Sequence, residues 1–588
     1  MAQPTPPPLP PAPRSRLTGL GRSVSLLLVV ALAAAIVAGI GFARRGHTPS
    51  TKTVPPGSGA SVITEGELGP PPAKLAELKE DVPKLDAPGT YRPKDNTVDI
   101  ELSEYAGYSG LIAANGGLEP SENSVFFKDH GFKVRIKLSE EESWSALNSG
   151  KMAASATTVD VLAVYGGQFE VVVPAQIGFS RGADGVVVRS DVRKINDLKG
   201  KILATSQFTE ADFLIRYLAE EAGLGLTMLA DFKTTPSETD LNLIYCEDAF
   251  AAGDLFLGEV LSGRNRVAGC VTWAPKTSEV AENSGGRARV LTTNRNLLMI
   301  ADVLIVNKGF AQANPKMVAG LVDGLLKGNR MVRDNPDASL DVLVKAFNTG
   351  KGPDAGAGER WDRTKARSEL AKVHLANLPE NLAFFGGNAE ASGATFKGIY
   401  DAAVKSYGPG LIPQPAPLDH FVDALHLTAL EHSGTFKDQR YAIAPIRTEA
   451  PTTTVEQDPV LSKNIRFYFK PNLSELDMSN PQNGANLDSI RDLMRVSPGS
   501  TIVLRGHVDN GRVEEFRRSG EQVLRAMTTE ANRLSQDRAN EVLRRLTERN
   551  GNLDRSRLHA VGRGWEEPVA PPNSEENRRV EVQWFLVE

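Results

Sequence analysis

The sequence predicts a two-lobed α/β body followed by a smaller α+β sandwich, with one apolar helix ahead of both. Three observations predict this class. An uncharged apolar run near the start is long enough to cross a bilayer. Strand-like and helix-like segments then alternate for about 350 residues, the pattern of α/β layers around largely parallel sheets. A shorter strand, helix, strand, helix, strand succession closes the chain, set off by a Pro/Thr-rich break.

Taken in order, residues 1–22 carry PTPPPLPPAP and read as a disordered cytoplasmic tail. Residues 23–43 are the membrane helix. From Val24 onward VSLLLVVALAAAIVAGIGFA holds no charge, and its roughly 20 residues match a hydrocarbon core of about 30 Å. The run ends in Arg44 and Arg45 rather than at a small-residue cleavage site, so an uncleaved anchor is expected. Arg14, Arg16 and Arg22 on the N-terminal side favour a single-pass inner-membrane protein with its bulk in the periplasm. Residues 44–95, with TPSTKTVPPGSG and APGTYRPKDN, read as a flexible tether. The central body spans 96–445, with a second lobe at about 184–288. A linker (446–460) and the C-terminal domain (461–588) follow.

In the C-terminal domain, TIVLRGHV (501–508) reads as a strand ending at Asp509. Ser535 then reads as the N-cap of a helix carrying Ala539, Val542, Leu543 and Leu546, with Asn550 and Gly551 as its stop. Four segments stand in order: Gly506-His507-Val508-Asp509, Leu534-Ser535-Gln536-Asp537-Arg538-Ala539, Gly562-Arg563-Gly564, and Asn577-Arg578-Arg579-Val580-Glu581. Together they resemble the OmpA-like peptidoglycan-binding domain, whose signature is GHxD, LSxxRA, GxG and NRRVE. That resemblance implies that Asp509 and Arg538 hold the diaminopimelate of the stem peptide, with Asn577 and Arg578 lining the same pocket. A zwitterion needs one fixed anion and one planar cation, which suits the pair. Two departures stand out. The 510–533 stretch exceeds the family loop by roughly a dozen residues, a length a surface loop tolerates. Ala531 also replaces a usual Asn, with Asn532 one position on.

In the central body, Ser149-Gly150-Lys151, Thr157-Thr158-Val159-Asp160, Ser180-Arg181-Gly182-Ala183-Asp184, INDLKGK (195–201) and Trp273-Ala274-Pro275 resemble the substrate-binding proteins of ABC importers, of the nitrate, sulfonate and thiamine-precursor type. The resemblance implies a periplasmic-binding-protein fold with solute clamped between lobes by hinge closure, and a permease as partner. Cleft residues carried over are Tyr108, Ser109, Thr157, Thr158, Gly182, Asp184, Thr209 and Trp273. Thr209 is expected to cap a helix whose free N–H groups suit an anion. Gly269, Cys270 and Val271 stand where the family often has an Asp before the Trp.

A net charge of -5 gives no reason to expect nucleic acid. Two cysteines, Cys246 and Cys270, build no disulfide scaffold and no cysteine-only zinc site, though they are few enough to form one pair. Among the 8 histidines there is no HExxH, and the chain carries neither GxSxG nor a phosphate-binding loop. The expectation is a binder without cofactor, metal or catalytic set, with peptidoglycan and a small solute as ligands. A structural or stator-like envelope linker without a ligand is the alternative.

Overall fold

The computed structural model describes residues 75–139, 143–351, 360–386, 394–444, 459–470, 473–550 and 553–586. The expected tail, the membrane helix and most of the 446–460 linker lie outside these. The single-pass inner-membrane localisation is overturned. Among the described residues no helix is long and apolar enough to cross a membrane. The longest, Glu521–Arg549, shows why: charge covers it except for a stripe through Ala531, Ser535, Ala539, Val542 and Leu546.

The first sheet is built from β1 (Thr97–Ser103), β2 (Lys133–Ser139), β3 (Ala154–Thr158), β4 (Val171–Ser180), β11 (Ala301–Asn307) and β12 (Val373–Leu375), in the order β12-β4-β11-β3-β1-β2. The second holds β5 (Asp184–Arg189), β6 (Ile202–Ser206), β7 (Leu226–Leu229), β8 (Leu241–Cys246), β9 (Gly269–Trp273) and β10 (Ala288–Thr293), in the order β10-β5-β9-β6-β8-β7. Its strands β8 and β9 are almost wholly buried, as in sheets covered on both faces. The chain passes from the first sheet to the second between Ser180 and Asp184, and returns between Thr293 and Ala301. The chain thus crosses twice between two α/β lobes.

Two further segments join the lobes. Residues 75–95, expected to be tether, instead lie against the body. Ala76 N–H donates to Tyr245 O (2.9 Å) and Lys79 exchanges hydrogen bonds with Gln207, both in the second lobe. Leu85 N–H then donates to Gln168 (3.1 Å) and Gly89 N–H to Asn148 O (2.9 Å), both in the first. The helix Phe396–Leu411 packs on the helix Val159–Tyr165 of one lobe and on Glu210–Glu221 of the other.

The C-terminal domain is a four-stranded sheet of β13 (Leu461–Ile465), β14 (Ser500–Gly506), β15 (Leu558–Gly562) and β16 (Val580–Leu586), in the order β13-β16-β14-β15. Helices Pro481–Val496 and Glu521–Arg549 cover it. Ser535 is not an N-cap. The 510–533 insertion forms a short helix, Val513–Arg518, and then the first half of the 29-residue helix that contains Ser535. The Ser535 hydroxyl donates to Asn532 O (2.9 Å) and accepts from Gly564 N–H (2.9 Å), tying helix to the GxG turn. A Cβ at Gly562 would lie 2.6 Å from Asn532 O and Gln536 N, so only glycine lets the strand approach this closely.

This domain docks on the second lobe. Asn196 brackets Ser462, accepting from its N–H (2.8 Å) and donating to its carbonyl (2.7 Å), while Ile195 N–H donates to Val460 O (2.8 Å). Leu298 N–H donates to Val496 O (2.7 Å) on the return crossing itself. One buried apolar cluster runs from lobe to domain.

Candidate binding sites

In the C-terminal domain β14 ends at Gly506, and Asp509 follows in the loop beyond it. One carboxylate oxygen accepts from Gly511 N–H (2.8 Å) and Asn573 N–H (3.2 Å), the other from Asn577 Nδ2 (3.2 Å). Arg538 rises from the middle of the long helix with its guanidinium over the Phe469 ring at 5.0 Å. Its Nε is buried without a hydrogen-bond partner. Burial, with Arg578 as a like-charged neighbour, lowers its pKa. A desolvated guanidinium beside a second one is a receptor for a carboxylate. Exposed Arg578 completes that pair of cations, its Nη2 3.3 Å from Glu575.

Asn577 has a different part. It is fully buried, its carbonyl oxygen takes the N–H groups of Val569 (2.9 Å) and Ala570 (3.0 Å), and its amide donates to Ala570 O, Pro571 O and Asp509. It shapes the loop and orients Asp509. The insertion lies beside this surface, with Phe516 stacked on Trp565 at 5.9 Å. His507 is a buried structural residue whose Nε2 is 3.4 Å from Glu581. His507, Glu567 and Glu581 stand close enough to share an ion. Arg505 already bonds both carboxylates at 2.7 Å, filling the place of a cation.

Between the lobes the carboxyl ends of several strands meet, where open α/β sheets bind ligands. Thr157 and Thr158 end β3, and Thr158 pairs in register with Asp302 of β11. Tyr108 sits at the start of the helix Ser109–Asn115, its hydroxyl 3.4 Å from Asp302. Asp184 opens β5, opposite Trp273, accepting from the Ser180 hydroxyl and from Asn294 Nδ2 (3.0 Å). All these acids and hydroxyls are buried. Ser109, Thr157, Thr158, Thr205 and Thr272 bury hydroxyls without a hydrogen-bond partner, and so does Tyr105.

Asp160, one residue into the helix Val159–Tyr165, is fully buried, and neither carboxylate oxygen has a partner. Burial pushes it up to about 7, with the charges of Asp184 and Asp212 adding to the effect. Burial likewise lifts Asp184 to about 6, against its hydrogen bonds from Ser180 and Asn294. Burial raises Tyr105 well above the phenol range, and Asp302 and Asp184 push it further. Asp212 is the acid with its own cation: Arg216 Nε donates at 2.9 Å, and the guanidinium lies 4.8 Å from the Tyr407 ring.

Three expected cleft residues do other work. Thr209 is the N-cap residue, but its hydroxyl pairs with Ser206 (2.8 Å) and caps nothing. Glu210 and Asp212 occupy the first turn of that helix, and Asp212 accepts from Phe208 N–H (3.2 Å), so this end repels an anion. Gly182 makes the crossing turn at φ +111, its N–H on Asn294 (2.8 Å). Trp273 is half-buried against Phe250, ring centroids 5.3 Å apart. Cys246 and Cys270 are free buried thiols. Tyr105, Asp160 and Asp302 are not among the cleft residues expected from sequence, although Asp160 ends the Thr157–Asp160 segment. A cavity of about 580 Å³ opens elsewhere, between Lys194 and Lys199 of the second lobe and Lys463 and Arg579 of the C-terminal domain.

Residues 468–581 match the model of the OmpA family. No curated protein matches the chain. Among solved structures, the chain is similar to the periplasmic aliphatic sulphonate binding protein of Escherichia coli, at 14% identity over 62% of this chain and 99% of that one, TM-score 0.40. The alkanesulfonate-binding protein of Xanthomonas axonopodis pv. citri, bound to MOPS, aligns at 17% identity over 48% and 88%, TM-score 0.36. A desulfurization enzyme aligns at 16% identity over 57% and 99%, TM-score 0.37. Strand order and the two crossings, rather than these scores, carry the two-lobed description.

Proposed function

We propose that the protein is a binder with two ligands: the peptidoglycan stem peptide at Asp509 and Arg538, and a small solute enclosed between the lobes. The first rests on Arg538, whose desolvated guanidinium stands beside Arg578, with Asp509 held by Asn577 in the same loop system. The second rests on the buried polar atoms of the cleft. Each unpartnered buried hydroxyl or carboxylate costs stability, so a concentration of them at strand ends marks a surface kept for a ligand. The importer resemblance implies a permease as the receiver of that solute.

Co-sedimentation with purified sacculi tests the wall-binding half. Asp509→Ala and Arg538→Ala should each weaken retention by about tenfold or more, the worth of one lost charge-assisted hydrogen bond pair. Arg538→Lys should recover little, since an ammonium cannot bind bidentately. Unchanged retention in both alanine variants would refute the assignment.

A linker without a solute is the second reading, and the segments that strap the lobes together favour it. Against it stand the unsatisfied groups of the chamber, which a purely structural body would have lost to apolar side chains.

A further inference from the structure

We propose that the buried cluster of acids and hydroxyls between the lobes is the site of a small organic cation, a protonated amine, held by the carboxylates of Asp160 and Asp184 with Thr157, Thr158 and Tyr105 as hydrogen-bonding neighbours. This deepens the solute-binding reading and rests on it. The acids come from different parts of the fold: Asp160 from the first lobe, Asp184 from the outgoing crossing, and Asp302 from the returning strand. Among the described residues no basic side chain forms an ion pair with Asp160 or Asp184, whereas Asp212 has Arg216. Both oxygens of Asp160 are buried and unpartnered, which singles it out within the acidic group.

An anion fits badly here. It would meet Asp160, Asp184, Asp302 and the Glu210–Asp212 turn, and Arg216 is already spent on Asp212, Tyr245 and the Tyr407 ring. An ammonium donates to carboxylates and hydroxyls alike, so one group satisfies acceptors that the fold leaves empty-handed. The chamber thereby differs in sign from what an alkanesulfonate needs.

Binding should also move protons. Asp160 faces Asp184, Asp212 and Tyr407, with Arg216 behind Asp212. With its carboxyl near half-protonated at neutral pH, an arriving ammonium displaces a proton. Release should be largest near pH 6 and fade by pH 8.

The test is calorimetric titration of the full chain with ethanolamine, choline and 1,4-diaminobutane, set against ethanesulfonate and nitrate. At least one amine should bind saturably with proton release. Asp160→Asn should weaken it by about tenfold or more, and Thr157→Val, which leaves the charge in place, should weaken it less. Asp509→Asn should leave amine affinity unchanged, which separates this site from the wall-binding one. Saturable binding of a sulfonate or nitrate without an amine would overturn the cation while leaving solute capture standing. Amine binding untouched by Asp160→Asn and Thr157→Val would overturn the assignment to this chamber. Silence across the panel, with the chain folded, would overturn both the cation and solute capture.

Discussion

Asp160 and Glu581 are both buried carboxyls, and their surroundings drive them in opposite directions. Burial raises each. At Asp160 the neighbouring Thr158 hydroxyl and the residue's own backbone N–H offset only part of the burial and the group stands near 7, whereas at Glu581 the hydrogen bond from His507 and the charge of Arg505 outweigh burial and hold it at about 2. The signs follow from linkage. A carboxyl raised from 3.8 to about 7 costs stability increasingly as pH climbs through that window. One lowered from 4.5 to about 2 contributes stability above 4.5 that is lost as pH falls towards 2. His507, lowered by burial, adds to the loss once pH drops below 6.5. The empty protein should therefore lose thermal stability in its central body between pH 5 and 7.5. Asp160→Asn should flatten that decline and raise stability at pH 7.5 by roughly 1–3 kcal/mol. Scanning calorimetry at both pH values decides it, and parallel curves would sink the idea. Asp509 and Arg538 stand out as candidates in the sequence because four motifs occur in order around them. Asp160 does not, because an acid in a helix's first turn is ordinary on the surface, and only the other lobe and a distant helix bury it.

At the scale of elements, the alternation of strand-like and helix-like segments was legible in the central body, but not what lies across it. The 75–95 stretch is Pro-rich and charged, so it reads as tether; it is ordered by hydrogen bonds to Gln207, Gln168 and Asn148, which no local pattern encodes. The extra length of the insertion was legible. Its fusion with the motif helix was not, because Ser535 is a good N-cap residue that here bonds one turn back and to Gly564. The helix Phe396–Leu411 holds the lobes through Tyr407, whose ring meets Arg216 and lies 6.2 Å from Phe208. Tyr407→Ala should cost roughly 3 kcal/mol by cavity formation and expose the chamber. Urea unfolding, with proteolysis near Gln207 as a second readout, checks this. Unaltered stability would show that the lobes are held elsewhere.

Over the whole molecule, the C-terminal domain is seated on the crossing that also positions Asp184. Gly499 abuts Asn296, where a Cβ would come within 2.5 Å of the amide oxygen, and Asn294, two residues earlier, bonds Asp184. Gly499→Val should push the domain off the lobe without touching its own core. Two calorimetric transitions should then replace a shared one, while sacculus binding is kept. A single unchanged transition would mean the seat contributes little to cooperativity. The Pro/Thr-rich break that suggests two bodies lies almost wholly outside the described residues, and a break in composition says nothing about whether the bodies touch.

The segments strapped across both lobes turn recognition into a matter of time. On the proposed reading, a ligand held between the lobes would not arrive at the pace of diffusion, because the Gln207 and Gln168 bonds or the Tyr407 helix would first have to release. Entry then runs at the frequency of unlatching, reaching a plateau however concentrated the ligand becomes. Departure waits on the same rare event. A binder built this way would act as a slow reservoir rather than a fast relay, with a dwell time set by how tightly the two straps are fastened.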